Sequence, residues 1–476
     1  TDLPEIHVQV GDAGIALYAD EGITGKGTEA DPYVICNAKQ WSKVMGSQRN
    51  QYNGNSFYGV SKYIKLGADI DLSGKSWESR TLTACLDGDG YTLSGISQPL
   101  FSVLNGTVKN LILSDVKIEG NGDQGAIAKT VGDKATVEKC YVSGSITATG
   151  SNNSGVGGLI GATQNDQANP LTIQNCVVDA DITGEGSSLA GGLIGSVSWG
   201  VTIENCIAMG TVSADQGQGA GGLVGGPYKT VAINNSAALQ KEVSTKKSQI
   251  FVDRIFGYAA NGVHVNGGQN FAYKDMRVKY GENFVIEAKK NLELHYGKDV
   301  TKAELLKADF WNNTLGWKKT NWEIVDGHFP ALKCGETTIF SEDDLPDYLQ
   351  ATNSLKGSVN SGETGIEGAE ITFKKGSSKK TATTDPDGTF SIELADGTYT
   401  VTIKKTGYLT WTDSVTISDA NSADLNFTLK ANPVSMPTGQ IVTGTFQTTD
   451  ADTVTADGEI VLTYAGTDNL QLKDFT

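Results

Sequence analysis

The chain has 476 residues, 58 of them glycine against 10 proline, with 20% charged residues and a formal net charge of −17. That length accommodates two to four domains, and a Gly-rich, Pro-poor chain of moderate charge reads as a turn-rich β protein rather than a helical or disordered one. The acidic excess repels phosphate backbones and anionic headgroups, which sets nucleic acid aside as a partner, and no apolar run is long enough for a transmembrane helix, so membrane insertion is not expected.

Residues 1–21 form an N-terminal segment. The start at Thr1, without Met or a basic-then-apolar leader, reads as a processed chain, with anchoring to an outer membrane through a removed N-terminal segment as one expectation. Asn37 then precedes Trp41, Val44 and Met45 on one helical face, a short amphipathic element suited to capping. Residues 63–72 and 86–93 read as strand, turn, strand. Asp87 and Asp89 invite a calcium loop, but Tyr91 at the fifth position and the missing later Glu favour a turn. Structural calcium at that turn is the one cofactor weighed; otherwise none is expected.

From residue 107 the chain repeats. Thr136-Val137-Glu138-Lys139-Cys140, Thr172-Ile173-Gln174-Asn175-Cys176, Thr202-Ile203-Glu204-Asn205-Cys206 and Ala232-Ile233-Asn234-Asn235-Ser236 are four copies of one segment, and Thr107-Val108-Lys109-Asn110-Leu111 precedes them. The copies lie about 30 residues apart. Before the second, third and fourth copies stand Gly157-Gly158-Leu159-Ile160-Gly161, Gly191-Gly192-Leu193-Ile194-Gly195 and Gly221-Gly222-Leu223-Val224-Gly225. Six residues after each Cys stand Ile146, Ile182 and Val212. Three short strands per period are therefore expected, too rich in Gly and β-branched residues for helices, and they fit one coil of a right-handed parallel β-helix.

Stacked coils turn equivalent residues into ladders. Asn175, Asn205 and Asn235 fall at one turn, where Asn tolerates a left-handed backbone. Cys140, Cys176 and Cys206 fall beside it, facing inward. Packing as small apolar groups is the preferred reading of these thiols, with a disulfide or a metal site as alternatives. At the far end, Thr301-Lys302-Ala303-Glu304 is a capping box, followed by Leu305, Leu306, Phe310, Trp311, Trp317 and Trp322 as a C-terminal cap.

The Gly-Gly-Leu-Ile-Gly and Thr-Ile-x-Asn-Cys segments resemble the GLUG repeat of bacterial surface proteins, adhesins and some large secreted peptidases. Residues 25–33, Asp69-Ile70-Asp71-Leu72 and Leu86-Asp87-Gly88-Asp89-Gly90-Tyr91 are similar to the lead-in of such proteins. The resemblance covers 22–335. It implies the β-helix and brings no catalytic residue with it.

The acidic stretch at 342–347 opens a change of grammar, and 336–352 is read as a linker. Strands expected near 355–359, 369–374, 389–394, 398–404, 414–417 and 424–429 alternate polar and apolar residues, giving a small antiparallel β-sandwich over 353–430. Gly357-Ser358-Val359, Thr384-Asp385-Pro386-Asp387-Gly388-Thr389-Phe390, Gly397-Thr398-Tyr399 and Gly407-Tyr408 resemble the carboxypeptidase regulatory-like, or transthyretin-like, domain, which implies an accessory role. Asp385 and Asp387 then act as turn formers. Residues 431–476 hold a short further β unit around Asp457-Gly458.

Catalytic signals are weak throughout. The four His (His7, His264, His295 and His328) and four Arg (Arg49, Arg80, Arg254 and Arg277) are scattered, and no metalloprotease, nucleophile-elbow or phosphate-loop motif occurs. No catalytic, cofactor-binding or metal-binding residue is assigned. The expected function is that of a non-catalytic bacterial surface or secreted protein, adhesin-like or structural, presenting a solenoid to a host or microbial glycan or a surface protein. A polysaccharide lyase or hydrolase of the β-helix type is the alternative. Tyr52, Phe57, Tyr58 and Trp199 are candidate sugar-stacking or packing aromatics.

Overall fold

The computed structural model describes residues 22–45, 62–77, 79–132, 134–150, 154–163, 171–186, 189–215, 219–246, 252–257, 267–281, 296–335, 337–339, 346, 348–349, 352–375, 378–395, 397–417 and 425–431. It adds the strand backbones at 6–11, 14–19, 51–52, 55–56, 265–266, 283–284, 441–445 and 459–463. The chain divides into two units, 1–348 and 349–476.

The first unit is a parallel β-helix. One coil shows the path: strand Leu171–Gln174, a corner at Asn175, strand Val177–Gly186, strand Leu189–Gly191, strand Ile194–Val197, and then Val201–Glu204 beside the starting strand. Equivalent strands pair in register from coil to coil, so Thr107, Thr136, Thr172, Thr202 and Ala232 align. Their neighbours Val108, Val137, Ile173, Ile203 and Ile233 point inward and are fully buried. On the long strands Ile118, Ile146, Ile182, Val212 and Val243 do the same. Burial of these stacked β-branched side chains drives the fold, since a single coil has no hydrophobic interior of its own.

Two sequence readings need correction. The glycine-rich coils hold four strands, not three, because Gly-Gly-Leu-Ile-Gly is a corner between two short strands rather than one strand. The corner presses against the long-strand sheet: a Cβ on Gly158 would lie 2.4 Å from both the Gly192 carbonyl oxygen and a Val178 methyl. The coil length also changes along the rod. Register-matched Tyr63, Cys85 and Thr107 are spaced by 22 residues, whereas 29 separate Thr107 from Thr136. The short coils lack the strand that first appears at Gln124–Gly125.

The turn ladder is longer than the sequence showed. Asp89, Asn110, Lys139, Asn175, Asn205 and Asn235 are all left-handed, with φ of 50–53°. Asp87 accepts from the Asp89 amide and the Asn110 side chain, at 3.0 and 2.9 Å, and pairs with Lys109 at 3.3 Å, while Asp89 pairs with Lys65 at 2.6 Å. These two carboxylates belong to the turn.

Beside the turns run Leu111, Cys140, Cys176, Cys206 and Ser236, each fully buried. All six cysteines are free. The thiols do more than fill space. Cys140, Cys176 and Cys206 donate back across the turn to the carbonyls of Glu138, Gln174 and Glu204, at 3.3, 3.3 and 3.2 Å. Their neighbours supply the converse bond: the Cys176 amide donates to Cys206 Sγ at 3.4 Å, that of Cys206 to Ser236 Oγ at 3.1 Å, and that of Ser236 to Asn270 Oδ1 at 3.0 Å. Burial pushes the thiols of Cys140 and Cys176 well above their ordinary pKa, so they stay protonated and able to donate. Replacing Cys206 by Ser should therefore be tolerated better than replacing it by Ala. Cys206→Ala leaves the Cys176 amide buried and unpaired, an expected loss of about 1–3 kcal/mol in urea unfolding. Equal costs for the two variants would refute the hydrogen-bonded ladder.

Both ends are closed. Helix Ala38–Met45 is capped by Asn37, whose Oδ1 accepts from the Gln40 amide at 2.9 Å, and it buries Trp41, Val44 and Met45 as expected. At the other end the buried Arg254 guanidinium donates to the carbonyls of Tyr296 and Gly297, both at 2.9 Å, and to Asp299 at 2.7 Å. The capping box at Thr301 and Glu304 forms and opens helix Lys302–Leu305.

The tryptophans beyond that helix do not simply cap the last coil. They begin a strap that runs back along the turn ladder. Trp317 Nε1 donates to the Asn235 carbonyl at 2.8 Å, Trp322 Nε1 to Asn175 Oδ1 at 3.1 Å, and the Cys334 thiol to the Lys139 carbonyl at 3.2 Å. The strap forms its own antiparallel sheet from Trp322–Glu323, Ala331–Cys334 and Thr337–Ile339. Tyr348 ends the unit, with its hydroxyl donating to the Leu239 carbonyl at 2.7 Å and accepting from the Gly210 amide at 3.0 Å.

The second unit contains a sandwich of two four-stranded sheets. Leu355, Val359, Ile371, Phe373, Phe390, Val401 and Phe427 lie in its buried core. It is antiparallel except that Thr352–Ser361 pairs with Leu425–Thr428 in parallel. A further strand, Ser378–Thr383, escaped the sequence reading because it is a lysine-bearing edge without apolar alternation. Asp387 accepts from the Thr389 amide and hydroxyl at 3.0 and 2.6 Å, the turn role expected of it. In 431–476, Ile441–Thr445 and Glu459–Thr463 pair antiparallel.

Candidate binding cleft

Where the rod widens, its strands lose their upstream neighbours. Strand Ile112–Asn121 pairs with the preceding coil only over Ile112–Ser114, with one further rung from the Lys117 amide to the Ile96 carbonyl at 2.8 Å. Strand Gln124–Gly125 is the edge of its sheet. The longer coil thus overhangs the shorter one, and beneath the overhang lies a cleft of about 210 Å³.

Its floor is apolar: Trp77, Pro99 and Ile118, all buried. The rest of its lining is polar, with exposed Glu119, partly exposed Gln98 and Lys129, and buried Gln124. The floor is held rigidly. Trp77 Nε1 donates to the Leu100 carbonyl at 3.3 Å, and Trp41 packs edge-on against the Trp77 ring with centroids 6.2 Å apart. Gln98 Nε2 donates to the Trp77 carbonyl at 2.5 Å, and Gln124 Nε2 to that of Asn121 at 2.9 Å. Glu119 is exposed and Lys129 half-buried, and neither forms an ion pair among the described residues. An apolar floor with a few placed polar groups is the ordinary make-up of a small-ligand site.

A second concavity, of about 440 Å³, lies on one sandwich sheet, lined by Lys356, Ser358, Asp385, Ser391 and Asn426. Phe390 in its lining is buried, as Trp77 and Ile118 are in the first.

Of the aromatic candidates of the sequence, Trp199 has a described side chain, and it does not line the cleft. Trp199 is partly exposed, with the Lys229 ammonium 5.2 Å from its ring centroid, a packing arrangement. Tyr52 is described in backbone only, and positions 57 and 58 lie outside the described residues. His328 sits exposed in a turn; positions 264, 295 and 49 lie outside the described residues, and His7 is described in backbone only. Arg80 lies on strand Arg80–Leu82, and Arg277 pairs with Glu242 at 2.9 Å. Among the described residues no group of three or more His, Cys, Asp or Glu is placed to hold a metal ion, and no helix is long and apolar enough to cross a membrane.

A widening parallel β-helix with an added sandwich defines a modular, solenoid-based protein. The module has a family: residues 354–430 match the carboxypeptidase regulatory-like domain. The chain is 25% identical to a solved Bacteroides ovatus structure assigned provisionally as an immunoglobulin A1 protease, with a TM-score of 0.53 over 66% of this chain and 95% of that one. Among curated relatives it is 26% identical over 170 residues to the immunoglobulin A1 protease of Streptococcus sanguinis and 31% identical over 168 residues to halomucin of Haloquadratum walsbyi. It spans 9% and 2% of the lengths of those two proteins.

Proposed function

We propose that this is a bacterial surface or secreted recognition protein, a GLUG-type rod with an accessory sandwich, whose β-helix takes carbohydrate in the cleft at its step. The observation that carries this reading is the pairing of a fixed apolar floor around Trp77 with a rim of amide, carboxylate and ammonium groups. A pyranose ring has the matching character, with an apolar C–H face and hydroxyls around its edge, and 210 Å³ is the scale of one sugar unit. The relatives named immunoglobulin A1 protease and halomucin support an extracellular setting.

A glycan array probed with the full chain tests the proposal. Binding is expected for a defined set of glycans, with at least a tenfold loss in Glu119→Ala/Lys129→Ala, and without release of products from any bound polysaccharide. Product release would support the lyase or hydrolase alternative. Binding of immunoglobulin A1 with no glycan dependence would move recognition to protein.

A further inference from the structure

The hydrogen bonds around the cleft are already directed, and their direction selects among sugars. Gln98 and Gln124 each point an amide nitrogen at a backbone carbonyl, which accepts only, so both side-chain amide orientations are fixed. One donor of each is thereby used, while neither Oε1 makes a hydrogen bond among the described residues. Ser79 Oγ, also lining the cleft, donates its single hydrogen to the Pro99 carbonyl at 3.0 Å and keeps only acceptor capacity. The Trp77 indole donor is likewise spent on Leu100. Glu119 adds an acceptor-only carboxylate. Against these stand Lys129, the single cation of the lining, the Ser97 hydroxyl and the second N–H of each glutamine.

We propose that the cleft selects a donor-rich pyranose edge, that of a neutral hexose or, more strongly, a hexosamine with a free ammonium, and discriminates against uronates; this rests on the reading of the cleft as a carbohydrate site. Hydroxyl and ammonium groups find the two amide oxygens, the Ser79 oxygen and the Glu119 carboxylate. The ammonium gains a charge-assisted bond to Glu119. A uronate carboxylate finds donors in Lys129, the Ser97 hydroxyl and the remaining N–H of each glutamine, but it also faces the Glu119 carboxylate in the same lining and approaches a chain of net charge −17.

Calorimetric titration of the full chain with glucosamine, glucose and galactose oligosaccharides, and with oligogalacturonate, tests this. The amino sugars are expected to bind at least tenfold more tightly than the uronate, with the neutral sugars between them. Glu119→Gln, an exposed and near-isosteric change, should bring the amino sugars down to the neutral level. If the uronate binds as tightly as the amino sugars and Lys129→Ala abolishes it, the donor-edge selection is wrong while the carbohydrate site stands. If no saccharide binds, or binding ignores both variants, both readings fall.

Discussion

Trp322→Ala is expected to lower the stability of the β-helix unit by about 3–5 kcal/mol, the range found when a fully buried large aromatic is truncated. The indole is completely buried and lies 4.2 Å, centroid to centroid, from Trp317. Its nitrogen donates to Asn175, itself a buried left-handed corner in the middle of the ladder. Truncation therefore opens a cavity and strips one hydrogen bond from a turn that already carries an unfavourable backbone conformation. Trp322→Phe restores most of the apolar contact without the donor and should recover more than half of the loss. Urea unfolding followed by tryptophan fluorescence reads both. A loss below about 1 kcal/mol for the alanine variant would show that the strap is a passive covering.

Gly192→Val is expected to be at least as damaging, at about 3 kcal/mol or more, for the opposite reason. A Cβ there would stand 2.0 Å from the Gly222 carbonyl oxygen, 2.6 Å from Gln240 Nε2 and 2.8 Å from the Ala208 methyl. The first of these is backbone in the next coil, and the adjoining rung from the Leu193 amide to the Leu223 carbonyl, at 2.9 Å, keeps it from yielding. Gly74→Ala is the control, because nothing lies within 4 Å of its Cβ position and only its φ of 67° resists substitution. That variant should cost about 1–2 kcal/mol. Similar costs for the two would mean that the corner is looser than its geometry shows.

The repeated part of the molecule was legible because stacking imposes one demand many times. Thr172, Ile173, Asn175 and Cys176 recur at near-constant spacing since each must meet its counterpart in the next coil. The short coils from residue 63 to 106 were visible only as isolated strands, for they share the register without sharing the motif. Nothing local announced the strap. Trp322 and Asn175 are 147 residues apart, and Trp317 and Asn235 are 82 apart, so their meeting depends on the chain doubling back along a rod whose length the sequence did not state.

The cleft was hidden for a related reason. Trp77 and Gln98 come from two successive coils and Glu119 and Lys129 from the third, and none carries a motif. The available signal was the change in spacing, from 22 residues between Cys85 and Thr107 to 29 between Thr107 and Thr136, which forces an overhang where the coil grows. Trp199, the aromatic candidate with a described side chain, does not line the cleft. In the cysteine ladder the placement was readable while the chemistry was only half read, because the bond from an amide to the next sulfur exists only once coils are stacked.

Fluorine NMR of the full chain labelled with 5-fluorotryptophan tests the central claim most directly. The chain has seven tryptophans, and the resonance of Trp77 is assigned by its loss in Trp77→Phe. Titration with an amino or neutral hexose oligosaccharide should shift the Trp77 resonance saturably, leave those of Trp199 and Trp322 in place, and lose the effect in Glu119→Ala/Lys129→Ala. A Trp77 resonance that stays unmoved at saturating saccharide, or moves equally in the double variant, would contradict carbohydrate recognition at the step of the β-helix.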